Sequence, residues 1–370
     1  MARLPDVDDT LATVARIASP PTAPYHEHRV LRAIASELER LGIERSTDPF
    51  AQIHARARSG KAARSLALVA HTDHPAFDVI EARGREGRAR VLGGFYARHF
   101  ASEVPVLVCD DADAEPFPAV LDDLVPAPDL THNSLGHLRI RAERELAVGQ
   151  WAILDLPAFE RRGDELHLRA ADDLALCAVA ILALAALRED PRPHDVRAIF
   201  TRGEEPGLYG ARLVAEDGLV PRDVIVVSLE ASRALAHARS GAGPVVRPGD
   251  VYNTFSNDGE RFLRVARERL ADDGIATQRA LLTGGTCESS AFVRLGWTTT
   301  AIAVPNVNYH NQSDETARFV PEVVRLSDLR GAVALLVEAA AAAGSDTDES
   351  WWPDVRAVPS QMRDLLRRRD

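Results

Sequence analysis

The chain has 370 residues, 46% hydrophobic and 27% charged, which is enough length and apolar content for a large core and two domains. Its net charge of −11 argues against a nucleic-acid partner, because phosphate binding requires a basic face. The opening "MARLPDVDDT" has no apolar run of the secretory type, and Cys109, Cys177 and Cys287 are odd in number and form no CxxC pair, so a reducing cytoplasm is the expected compartment.

In chain order, "HRVLRAIASELERLGI" places Val30, Ile34, Leu38 and Leu41 on one helical face. "AQIHARA" and "SLALVA" read as strands. From Pro75 to Asp164 no long helical pattern occurs. The pieces "FDVIEAR", "GRARVLGG", "VPVLVCD", "HLRIRAE" and "GQWAILDL" are short and alternating, with Gly or Pro between several of them. A helix is predicted from about Asp173 to Arg188. Its apolar run, Leu174 to Leu187, is too short to span a bilayer and suits a buried core helix, so no membrane partner is expected. The strand "VRAIFT", a helix from about Gly207 and the strand "DVIVVSLE" follow. "RFLRVARERLADDG" is an amphipathic helix with Gly274 as its C-terminal stop. The strand "TTTAIAVP" and the long helix "VVRLSDLRGAVALLVEAAAAAG" complete the pattern. "SDTDES" reads as a linker to a tail with Trp351 and Trp352, for which simple packing is favoured over an oligomer contact.

The predicted fold class is α/β, with a mixed, mostly parallel sheet flanked by helices and an inserted small β-rich domain. Residues 1–75 and 165–370 make the discontinuous catalytic domain, and residues 76–164 make the insertion.

No phosphate loop, dinucleotide fingerprint, GxSxG elbow or HExxH helix is present. Polar residues instead gather at predicted strand ends. His71 and Asp73 follow "SLALVA". Asp172 and Asp173 follow "ELHLRA", Glu204 and Glu205 follow "VRAIFT", Glu230 ends "VIVVSL", and His310 follows "TTAIAVP". Strand carboxyl ends in an open α/β sheet share one edge, where ligands bind. Singly, each residue has a plainer reading. His71 could bond Asp73, Asp172–Asp173 could cap the next helix, and Glu204–Glu205 could lie in a solvated loop. A carboxylate ending an apolar strand, as Glu230 does, needs a partner. Together, two histidines and several carboxylates without thiolates suit zinc, or manganese or cobalt. Asp73 could orient His71, and one of two adjacent glutamates could serve as general base.

This pattern resembles the co-catalytic zinc exopeptidases, and among them the tetrahedral-aminopeptidase (glutamyl aminopeptidase) family. "PTAPYHEHRVLRAI" looks like the family's PSPSG-x-E opening, and "DPFAQIHAR" like its D-x-x-G-N strand. "HTDHPAF" is similar to H-x-D-E-x-G-F, "AADDLAL" to A-x-D-[DN]-R, and "GEEPGLYGA" to E-E-x-G-x-[RK]-G-A. "GGTCESSAF" resembles G-G-T-D-A, and "NYHNQSDE" resembles R-Y-x-H-S-x-x-E. The long gap between His71 and Asp172, which holds the β-rich stretch, separates this family from its relatives.

The resemblance implies a zinc-exopeptidase-like fold, two divalent metal ions and a short peptide substrate. His71 and Glu230 would complete one metal site, and Glu205 and His310 the other. Asp172 would bridge them, Glu204 would be the general base, and Asp73 would orient a ligand. It also implies a homo-oligomer. His74, Leu174 and Cys287–Glu288 depart from the motifs. The expected activity is removal of N-terminal residues from peptides. The alternatives are a metal-dependent deacylase, a glycoside hydrolase and a non-catalytic homologue.

Overall fold

The structure is a computed structural model and describes residues 5–127, 135–346 and 358–367. Trp351 and Trp352 lie outside the described residues. One eight-stranded sheet forms the body. Its spatial order is Glu44–Thr47, Ile53–Ser59, His194–Thr201, Leu66–His71, Ile225–Glu230, Thr299–Ala303, Val245–Arg247, Gln278–Arg279. The consecutive strands from His194–Thr201 to Thr299–Ala303 pair in parallel, whereas the outer pairings are mostly antiparallel. The sheet is therefore mixed. Its parallel centre brings Thr201, His71, Glu230 and Ala303 to one edge. Buried on both faces, these strands read as apolar runs rather than alternations.

The helix Leu174–Arg188 is buried continuously from Leu174 to Leu184. It packs against the sheet and against the helices Val7–Ala18 and Leu326–Ser345. An unbroken apolar sequence fits such a position, because every face meets protein. The helix Val7–Ala18 was not expected from the sequence. Its start is set by Asp6, whose carboxylate accepts the amides of Asp8 and Asp9.

Between Ala76 and Leu154 six antiparallel strands close into a barrel. Phe77, Val79, Val91, Phe100, Leu121, Leu138 and Ile140 fill it. The strand Phe117–Pro126 escaped the sequence reading. Pro118 and the pair Asp122–Asp123 disguise its alternation, and a register shift between Asp122 and Val125 absorbs the irregularity. A three-stranded sheet of Phe159–Arg162, Glu165–Leu168 and Glu322–Arg325 lies apart from the main one. Asp172 thus follows a strand outside the main sheet and does not reach the common edge as a strand end, contrary to expectation. The C-terminal helix Ser360–Leu366 buries none of its residues, so packing does not hold for this part of the tail.

Candidate metal centre

His71 is the last residue of its strand and Glu230 the last of the neighbouring one. Glu204 and Glu205 lie just beyond Thr201, which pairs with His71 in the ladder. Asp172 precedes the helix Leu174–Arg188, and the Asp172–Asp173 peptide is cis. His310 sits in a turn after Thr299–Ala303, at φ +56°. All these side chains converge.

Asp172 Oδ1 lies 3.2 Å from His71 Nε2, and its Oδ2 lies 3.4 Å from His310 Nε2. His310 Nε2 is also 3.3 Å from Glu205 Oε1. His71, Asp172 and Glu230 form one group whose ligating atoms fall within 4.8 Å of one another. Asp172, Glu205 and His310 form a second, and His71, Glu204 and Glu205 a third. Asp172 is common to the first two.

The imidazoles are aimed by their outer nitrogens. His310 Nδ1 donates to the Gly94 carbonyl at 2.7 Å, and His71 Nδ1 faces the Asp73 carbonyl at 3.2 Å. Both Nε2 atoms are left for the cluster. A Cβ on Gly94 would come 3.1 Å from the His310 ring, so only the bare backbone approaches this closely in comfort.

Asp73 works differently from the role expected of it. Its carboxylate is 3.6 Å from His71 Nδ1, too long for a hydrogen bond. Its two oxygens instead accept the amides of Glu204 and Glu205, each at 3.0 Å. The acid fixes the glutamate pair and touches His71 mainly through its own carbonyl. Asp173 stands at the N-cap but makes no side-chain cap, and takes the Ala231 amide at 3.0 Å.

Two carboxylates missed in the sequence hold the centre from behind. Glu322 accepts the backbone amides of Asp172 at 3.0 Å and His310 at 2.7 Å, and the Asn306 amide group at 2.8 Å. Glu27 accepts the Gly203 amide at 2.9 Å and pairs with Arg202 at 2.8 Å, which sets the approach to Glu204. The similarity of "PTAPYHE" to PSPSG-x-E was the available signal for Glu27. Glu322 in "VPEVV" carries none.

The departures from the family motifs also find places. His74 is buried, with its ring nitrogens 2.5 Å from the Asp172 carbonyl and 2.9 Å from Asn311 Oδ1. It buttresses Asp172 from outside the cavity. Leu174 joins the main core. Burial pushes the Cys287 thiol up to about 12, which leaves it a neutral core group. Glu288 is buried beside Thr201, and burial pushes its carboxyl to about 7.

Charge and burial conflict throughout the cluster. Burial pushes Glu204 and Glu230 far above the usual carboxylate range, and neighbouring carboxylates add to the rise. Burial disfavours charge on His71 and His310, yet facing acids raise both well above the ordinary imidazole value: Glu204 for the first and Glu205 for the second. Asp172 is also opposed by burial, but the two imidazoles hold it below its normal range. Among the described residues, Asp172 Oδ2, Glu205 Oε1, Glu230 Oε2 and His310 Nε2 are buried without a hydrogen-bond partner. Lone pairs left unmade in a dry site are costly. Mixed N/O donors in this arrangement fit a divalent cation.

The M42 glutamyl aminopeptidase family model matches residues 140–329, just over half of the chain. The chain belongs to the M42 glutamyl aminopeptidase family. It is accordingly a metal-dependent aminopeptidase, a hydrolase of peptide bonds. No curated protein matches it. Among solved structures it is similar to an aminopeptidase from the archaeon Desulfurococcus kamchatkensis, at 20% identity over 95% of this chain and 99% of that one, with a TM-score of 0.76. The TET aminopeptidase of a marine sediment Thaumarchaeota archaeon gives 18% identity, 93% and 99% coverage, and a TM-score of 0.76. The Pyrococcus horikoshii TET1 peptidase, which can assemble into a tetrahedron or a large octahedral shell, gives 21% identity, 90% and 99% coverage, and 0.73. At these identities the likeness is one of fold. Among the described residues no helix of this M42 member is long and apolar enough to cross a membrane.

Proposed function

We propose that this M42 member is a dinuclear aminopeptidase that removes N-terminal residues from short peptides. His71 and Glu230 would hold one ion and Glu205 and His310 the other, with Asp172 shared between the two groups. The observation that carries this reading is Asp172, whose two oxygens face the two histidines separately. Zinc suits the donor set best, with cobalt or manganese as alternatives. Such ions would supply Lewis-acid activation of a water and of the scissile carbonyl.

The chain supplies the proton handling. Glu204 is largely buried, lines the cavity and is fixed at its amide by Asp73. From that position its carboxylate can take a proton from water and give it to the leaving amine. Asp73 keeps the general base in register with Glu205. Residues 1–75 and 165–370 form the catalytic unit in this proposal, and residues 76–164 an insertion that reaches the centre through Gly94. A cytoplasmic location accords with the three buried free cysteines, and a homo-oligomer is proposed by analogy with TET1.

Glu204→Gln tests the reading. Activity on aminoacyl substrates should fall at least about a hundredfold while metal content stays at about two per chain. His310→Ala should lower the metal content to about one. Retained activity in the first variant, or unchanged stoichiometry in the second, would overturn the assignments.

A further inference from the structure

The cavity above the candidate centre has a volume of about 850 Å³, within the range of sites that enclose a small ligand. Besides Glu204, Glu205 and His310 of the centre, its wall carries Arg212, Arg233 and Arg294, with Glu216 as a further acid. Outside the centre that is three arginines to one acid, in a chain with 55 acidic and 44 basic residues.

Two of these arginines come from neighbouring helices, Arg212 from Tyr209–Glu216 and Arg294 from Ser289–Arg294. The helices share one apolar cluster, with Ala211, Val214 and Ala215 from the first and Ala291 and Phe292 from the second, and both arginines line the cavity. Among the described residues neither arginine forms an ion pair, and Arg212 rests over the Tyr209 ring at 5.7 Å. Arg294 donates to the neutral Asn253 Oδ1 at 3.3 Å. Arg233, a third arginine at the wall, is occupied by Asp314 at 3.0 Å. An arginine held by a ring or an amide, with its charge unmet, is ready to bind a carboxylate.

A short peptide is itself polarised, with an ammonium at one end and a carboxylate at the other. In the proposed reading the centre takes the reacting part of the peptide, so a carboxylate elsewhere on the substrate is left to Arg212 and Arg294, which line the same cavity. We propose that Arg212 and Arg294 read a second carboxylate of the substrate, on the far side of the cleaved bond, and so select short peptides that carry one there. The inference rests on the aminopeptidase reading and specifies its substrate class. The carboxylate comes from the peptide's own C-terminus or from an acidic side chain beside it.

The test compares one metal-loaded enzyme on three substrates: a dipeptide free acid, its carboxamide, and a carboxamide with Asp in the second position. The free acid should exceed the neutral amide about tenfold in kcat/KM. If the Asp amide recovers the rate, side-chain acids are also read; if it does not, the C-terminus alone is read. Either result supports the proposal. In the wild-type protein the ratio should shrink as salt rises from about 0.05 M to about 0.5 M, because screening weakens the exposed pair. In the doubly substituted Arg212→Gln, Arg294→Gln protein the ratio should approach one, a comparison indifferent to the fraction folded. Equal rates on all three wild-type substrates, or a salt-independent ratio that survives the double substitution, would overturn it. Cleavage without discrimination sinks this inference alone. Failure to cleave any aminoacyl substrate removes the aminopeptidase reading as well.

Discussion

Glu322 accepts three hydrogen bonds, and two come from the backbone of proposed ligands, Asp172 and His310. His310 lies in the left-handed region, as do its neighbours Asn308 and Asn311, a conformation that non-glycine residues adopt at a cost. The Glu322 carboxylate is one of the contacts that offset that cost. Glu322→Ala strands several buried donors, each worth about 1–3 kcal/mol, so stability should drop by about 3 kcal/mol in a denaturant titration. Metal affinity should fall about 10- to 100-fold in competition with a chelator, the size expected for groups that orient ligands. Affinity unchanged beside lowered stability would reduce Glu322 to a purely structural residue. Such a residue also shows where sequence reading stops. His71, Glu204, Glu205 and Glu230 were legible because polar groups at the ends of apolar strands demand a partner. A carboxylate that bonds backbone amides leaves no spacing pattern, so Glu322 was invisible and the amide contacts of Asp73 went unseen.

Elements were legible where one face or run was unambiguous. Leu174 to Leu187 announced the core helix, and Gly274 announced the end of the helix Asn257–Asp272. There Gly274 sits at φ +74°, its amide reaches Ala271, and Ile275 reaches back to Leu270. This is a left-handed helix stop, and no atom lies within 4 Å of a Cβ placed on it. Gly344, near the end of the helix Leu326–Ser345, has ordinary helical geometry but no room. A Cβ there would collide with the Pro193 carbonyl. Alanine at both positions should therefore destabilise for opposite reasons. Gly274→Ala costs about 1 kcal/mol of backbone strain. Gly344→Ala gains about 1 kcal/mol of helix propensity but loses about 2 kcal/mol or more to backbone displacement. Thermal melts check the pair, and a Gly344→Ala protein more stable than its parent would show that the backbone at Pro193 yields freely. The closure of the barrel had no comparable signal, because its register is set by distant partners such as Leu121 and Ile140.

At the scale of the molecule, barrel and sheet meet at the site. Gly94 binds His310, Gln312 holds the amide of Tyr96, and His99 reaches the Ser313 carbonyl. The chain has five tyrosines, and all gather here: Tyr96, Tyr252 and Tyr309 line the cavity, and Tyr25 and Tyr209 pack around Gly203. The rest of the surface does without them, so the centre and its mouth form one cooperative region rather than a local graft. Metal should then stabilise the whole chain. Without a cation, buried carboxylates oppose one another and the orphaned lone pairs of Asp172, Glu205, Glu230 and His310 go unmet. A ligand present at about a hundred times its dissociation constant adds about 2.7 kcal/mol per site to the folded state. Chelation should lower the melting temperature by a few degrees, and zinc, cobalt or manganese should restore it. The gain should shrink in His310→Ala, which removes the Asp172, Glu205 and His310 group. A melting temperature indifferent to chelator in a protein shown to have held metal would mean that the ions bind without tying the barrel to the sheet, and the site would then be a local one after all.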